Sequence, residues 1–181
     1  LLDLTLCVYT PSSYIHPSKI DDYEAKYGSD VSKGVFFKQS DREQGVRRLM
    51  SINLLKRLES SVASFRLTID RIKKLIEDTI ETIKNYQSGD CVLNLTEISG
   101  AEDLDYDDQN TDFFSVGKKA KIDLADMDYV SWMRELEKDA ENLELLSLMI
   151  ADITPEHDTK LQTLFELIRK KIEHPINSGN K

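Results

Sequence analysis

Residues 49–83 read LMSINLLKRLESSVASFRLTIDRIKKLIEDTIETI, and this stretch decides the fold class. Apolar residues recur at Leu55, Leu58, Val62, Phe65, Ile69, Ile72, Ile76, Ile83 and Tyr86. The gaps alternate between three and four, and Thr79 is the one polar residue in that series. Alternation of this kind puts the side chains on one helical stripe, as at the a and d positions of a heptad. The spacing predicts one long helix over residues 40–88, about 70 Å in length if unbroken at 1.5 Å per residue. An apolar seam of that length needs a cover. Leu58→Asp and Ile69→Asp are both expected to collapse it, because each places a charge in the seam.

Working outward, Ser40 with Glu43 three residues on has the pattern of a capping box, and Gly89 is placed to end the helix. A second long helix is expected across Ile122–Ile153, with Tyr129, Trp132, Leu136, Ala140, Leu143, Leu146 and Ile150 inward. It is long enough to lie antiparallel along the second half of the first. The expectation is an all-α fold built on a long, coiled-coil-like helical hairpin with additional short helices. Residues 89–119 interrupt the pattern as an acidic excursion at the hairpin tip. Asp103, Asp105 and Asp107 invite comparison with a calcium loop, but its sixth and twelfth positions would hold Asp108 and Phe114, so a calcium site is rejected.

The flanks are shorter. Residues 1–39 form an N-terminal boundary segment. Leu1–Thr10 reads as a strand or as the last turns of a helix. A short helix begins at Pro17, with Ser18 as cap and Asp21 answering it, and ends at Gly28. Residues 29–39 read as a loop. Residues 154–181 supply a third helix, with Thr154 as cap and Pro155 at the first helical position, followed by a polar linker. All five segments are expected to belong to one helical domain of a larger protein, since the chain opens on apolar residues without a methionine.

Composition narrows the function. The chain of 181 residues carries 24 basic and 33 acidic side chains, which argues against a simple nucleic-acid binder with a basic face. The balance is uneven: residues 41–74 hold nine Lys/Arg against four acids, whereas residues 102–112 hold six acids and no base. No apolar run is long enough to span a membrane, and no signal peptide is apparent. With Cys7 and Cys91 far apart and outside any CxxC context, a reduced, cytoplasmic setting is expected.

No phosphate loop, dinucleotide fingerprint, nucleophile elbow or zinc-protease motif occurs, so no catalytic or metal-ligating residue is assigned. His16, His157 and His174 have no spaced ligand partner. Four cations, Arg47, Arg48, Lys56 and Arg57, are the candidate contacts with phosphates or with a neighbouring domain. The competing account gives them to solvent or to ion pairs with Glu135, Glu137 and Glu141 of the second helix.

The run Leu55-Lys56-Arg57-Leu58-Glu59-Ser60-Ser61, followed by Phe65-Arg66, resembles a stretch of bacterial Swi/Snf-like helicases, superfamily-two ATPases of the DEAD/DEAH type. Three further pieces agree in order. They are Tyr9-Thr10-Pro11, the run KIDLADMDYVSW over residues 121–132, and Asp158-x-Lys160-Leu161 with Leu164. The resemblance implies the helical region between two RecA-like lobes. ATP and magnesium would be bound by the flanking lobes, and no cofactor by this chain. The lobes of the same parent chain and duplex DNA would be its partners. The alternative, from another class, is a free-standing coiled-coil adaptor that binds a protein and has no catalysis.

Overall fold

The computed structural model describes residues 4–32, 35–85, 92–94 and 121–174. The fold is all-α. Its helices are α1 (Pro17–Tyr27), α2 (Gln39–Ser60), α3 (Val62–Lys84), α4 (Tyr129–Ile150) and α5 (Thr159–Glu173). Two small antiparallel pairs join them: β1 (Ser29–Ser32) with β2 (Val35–Phe37), and β3 (Val92–Asn94) with β4 (Lys121–Asp123). The first pair lies where a loop was expected.

The core is a hairpin of α3 and α4. Arg66 reaches Ile150, Lys73 pairs with Glu144, and Lys84 pairs with Glu137, so the helices run antiparallel. From α3, Phe65, Ile69, Ile72, Ile76 and Ile83 are buried; from α4, Trp132, Leu136, Leu143 and Ile150 meet them. Thr79, the polar residue in the series, is also buried, and its hydroxyl donates back to the Leu75 carbonyl at 2.7 Å. That internal bond removes the cost of burying an unpaired hydroxyl.

The long first helix is broken. Ser61 adopts an extended backbone, φ −161° and ψ 131°, and separates α2 from α3. A Ser-Ser pair before the β-branched Val62 is a weak place in a helix, because serine offers its own hydrogen bonds to the backbone. The Arg57 guanidinium spans the break and donates to Ser64 Oγ at 2.9 Å. The extended residue also resets the helical phase. Glu43, Val46, Met50 and Leu54 face inward from α2, whereas Leu55 and Leu58, expected in the seam, are 55% and 39% exposed.

Several expected caps are replaced by tertiary contacts. Ser40 and Glu43 do not form a capping box. Instead Glu24, on α1, accepts from the Gln39 and Ser40 backbone N–H groups and from Ser40 Oγ. A carboxylate there meets the positive end of the α2 dipole. At α1, Pro17 holds the first position and His16 precedes it, with no side-chain cap from Ser18. At α5, Pro155–His157 forms a 3-10 turn and Asp158, rather than Thr154, caps the helix by accepting from Leu161 N at 3.0 Å. The second long helix begins later than its pattern suggested, at Tyr129, because Asp128 caps it through Ser131 N.

The N-terminal segment is neither strand nor regular α-helix. Leu6, Cys7, Val8, Tyr9 and Thr10 are all buried, and Cys7–Tyr9 forms a single 3-10 turn. Of the acidic excursion expected over residues 89–119, Val92–Asn94 is described, as β3; the rest of it, the Ser88–Gly89 helix end and the tail after His174 lie outside the described residues.

Candidate nucleic-acid and lobe interface

The structure separates the four candidate cations. Arg48 and Lys56 are exposed, while Arg47 and Arg57 are half-buried, and Arg57 is engaged with Ser64 at the helix break. Arg48, Ile52, Leu55, Lys56 and Glu59 recur at helical spacing and form the outer face of α2. This face alternates cations with bare apolar side chains: Ile52 and Leu55 lie between Arg48 and Lys56, and both are about half exposed. Two acids of α4 pair with cations of α3. Glu137 pairs with Lys84, and Glu144 with Lys73.

Large apolar side chains are also exposed on α5. Leu164, Phe165, Leu167, Ile168 and Ile172 are each between 45% and 74% exposed, and no described residue of α5 is buried. Lys160, in its first turn, donates from Nζ to the Glu59 carbonyl at 2.6 Å, which sets the start of α5 against the end of α2. Two helices that touch through this bond thus each carry exposed large apolar side chains. By contrast, the groove between α3 and α4 is lined by Glu77, Glu81, Glu137 and Glu141 around Lys84, a charge pattern that repels phosphate.

A polar joint that spacing does not announce lies in the core. Asp139 is completely buried in α4. Its carboxylate accepts from Thr5 N at 2.8 Å, Thr5 Oγ1 at 2.9 Å and Cys7 N at 3.0 Å. Trp132, two stripe positions earlier, donates from Nε1 to the Cys7 carbonyl at 3.1 Å. Burial, reinforced by the Asp139 charge, pushes the Cys7 thiol up to about 12. Burial likewise raises the neighbouring Tyr14 phenol. Neither group ionises near neutrality. The signal was present in the sequence: Trp132, Leu136, Asp139 and Leu143 keep the 4-3-4 spacing of a seam, so an acid occupied a core position.

A second buried carboxylate sits at the start of α2. Glu43 accepts from Ser12 N and Ser12 Oγ, and from Gln39 Nε2 at 3.2 Å. Burial nevertheless raises it to about 7, with Glu24 adding repulsion.

No protein-family model, curated protein or solved structure matches this chain. Among the described residues, no group of three or more His, Cys, Asp or Glu is arranged to hold a metal ion, and no helix is long and apolar enough to cross a membrane.

Proposed function

We propose that this chain is the inter-lobe helical domain of a Swi/Snf-like, DNA-dependent ATPase. It braces the two motor lobes and helps couple ATP hydrolysis to movement on duplex DNA in a cytoplasmic setting. The observation that carries the reading is the exposed apolar junction of α2 and α5, which a neighbouring domain would cover. The resemblance of four sequence pieces, in order, to that family is the reason for taking the cover to be a motor lobe. The Lys56-Arg57-Leu58-Glu59-Ser60-Ser61 run lies at this junction, and Asp158-x-Lys160-Leu161 opens α5. Both pieces therefore meet at the same corner of the fold.

In this reading α5 leads toward the second lobe, and its apolar side chains are buried when that lobe docks. Arg48 and Lys56 face the lobe or the DNA. Arg47 and Arg57 support the helix from its flank. ATP and magnesium belong to the lobes: this chain has no phosphate loop to hold them.

The test is DNA-stimulated ATP hydrolysis by the full protein carrying Arg48→Glu and Lys56→Glu together. Stimulation should fall, and its dependence on salt should become shallower, because phosphate contacts release counterions. Stimulation at the wild-type level and salt dependence would overturn the assignment of these cations. The coding sequence on either side gives the broader test. A phosphate loop and acidic box upstream, with a second lobe downstream, is expected; their absence would leave the α2–α5 face to a separate protein partner, as in an adaptor.

A further inference from the structure

The segment Leu4–Thr10 combines features that rarely occur together. It is buried from Leu6 onward, it is mostly irregular, and it packs against α2, α3 and α4. Buried irregular backbone must find partners for its polar groups. Here a side chain provides them: Asp139 accepts two backbone N–H groups and one hydroxyl from Thr5 and Cys7. Leu6, between those two residues, is held at φ 52°, the left-handed region that a branched side chain disfavours. Such a conformation persists only where its surroundings hold it. Apolar packing is non-directional and does not specify this backbone shape; the carboxylate does.

We infer that Asp139 is a positioning residue that transmits movement. It fastens the segment Leu4–Thr10 to the centre of α4, so that displacement of the preceding lobe is delivered to the α3–α4 hairpin rather than absorbed by a loose connection. This inference rests on the motor reading above. Trp132 supports the joint by holding the Cys7 carbonyl, and the 3-10 turn carries the segment on to Glu43, which grips Ser12. The input segment is therefore fixed at two points, one on α4 and one on α2. Asp139 is the firmer of the two, since its three bonds constrain both sides of the left-handed residue.

The experiment uses the full protein and two readouts. Amide hydrogen exchange at Thr5 and Cys7 reports the joint itself. Distance moved on duplex DNA per ATP hydrolysed reports transmission. Asp139→Asn keeps the shape but replaces one accepting oxygen with a donor. Exchange protection at those two amides should fall by about tenfold or more, as expected for loss of a charge-assisted bond. DNA-stimulated hydrolysis should persist while movement per ATP drops. Thr5→Ala, a milder change that removes only the hydroxyl donor, should shift both readouts in the same direction if Asp139→Asn fails to fold. Thr5→Ser should restore them. Unchanged protection in the variants, or lost protection with unchanged movement per ATP, overturns the inference and leaves the motor reading intact. A wild-type protein that neither hydrolyses ATP in response to DNA nor moves on it overturns the motor reading and this inference with it.

Discussion

Arg66, on α3, donates from Nη2 to the carbonyl oxygen of Ile150 at 2.6 Å and so closes the far end of α4. The same nitrogen reaches the Ile153 carbonyl at 3.1 Å. The last carbonyls of a helix lack intrahelical donors and carry the negative end of its dipole, so a guanidinium is well suited to the position. Arg66→Met should keep the aliphatic packing and lose about 2 kcal/mol, the scale of a hydrogen bond to a charged group. Chemical denaturation checks the loss. Arg66→Lys should recover part of it, since a single ammonium cannot span the carbonyls as a planar guanidinium does.

The break at Ser61 separates two residues that sequence spacing treats as equals. Ile69 is fully buried, and Ile69→Ala should cost roughly 2–5 kcal/mol through lost contacts and a cavity. Leu58 faces outward from α2 but keeps part of its surface covered, so Leu58→Asp should cost about 1 kcal/mol, well short of the Ile69 loss. Comparable large losses for both substitutions would mean that α2 and α3 form one continuous seam after all.

That contrast shows where the sequence was legible. The fold class, the antiparallel hairpin and most inward residues of α3 and α4 follow from spacing, because a packed helix pair depends on that periodicity. The break depends on one residue. The 3-4 series runs through Ser61 without a fault, and periodicity cannot register a single extended residue that rotates one half against the other. The Glu24 cap of α2 was also illegible, since it joins residues brought together only by the fold. Asp139 was legible in position but not in role. Its seam register is visible, whereas its partners, Thr5 and Cys7, lie more than 130 residues away. Of the four cations, spacing alone would have separated Arg48 and Lys56 from Arg47 and Arg57 had the inward face of α2 been known.

Cys7 offers a chemical probe of the buried N-terminal segment. Its thiol is held up to about 12 and is enclosed, so the reactive thiolate is scarce and inaccessible at pH 8. Alkylation of Cys7 by iodoacetamide, read on its own peptide so that Cys91 is kept apart, should therefore track global unfolding, with the same denaturant dependence as loss of helicity. Labelling well before that transition would mean that Leu4–Thr10 opens locally while the hairpin remains folded.

Glu43 predicts a pH dependence whose sign follows from its burial. Its folded-state value of about 7 lies above the ordinary 4.5, because burial outweighs the bonds from Ser12 and Gln39. The folded chain therefore retains a proton over the range in which the unfolded chain gives it up. The stabilising contribution is fully present below pH 4.5 and is lost as pH rises through 7. Its size is on the order of 3 kcal/mol, since each tenfold change in proton affinity between the folded and unfolded chain is worth about 1.4 kcal/mol. Glu24 and Arg42 are the charged neighbours, and Glu24 acts in the same direction as burial by repelling the ionised form. Glu43→Gln removes the titration while keeping an oxygen to accept from Ser12 N. The stability of Glu43→Gln relative to the wild type should therefore rise between pH 5 and pH 8. Urea denaturation at those two pH values measures it. Parallel pH profiles would show that the Glu43 carboxyl ionises as readily in the folded chain as in the unfolded one, with water reaching it behind Ser12.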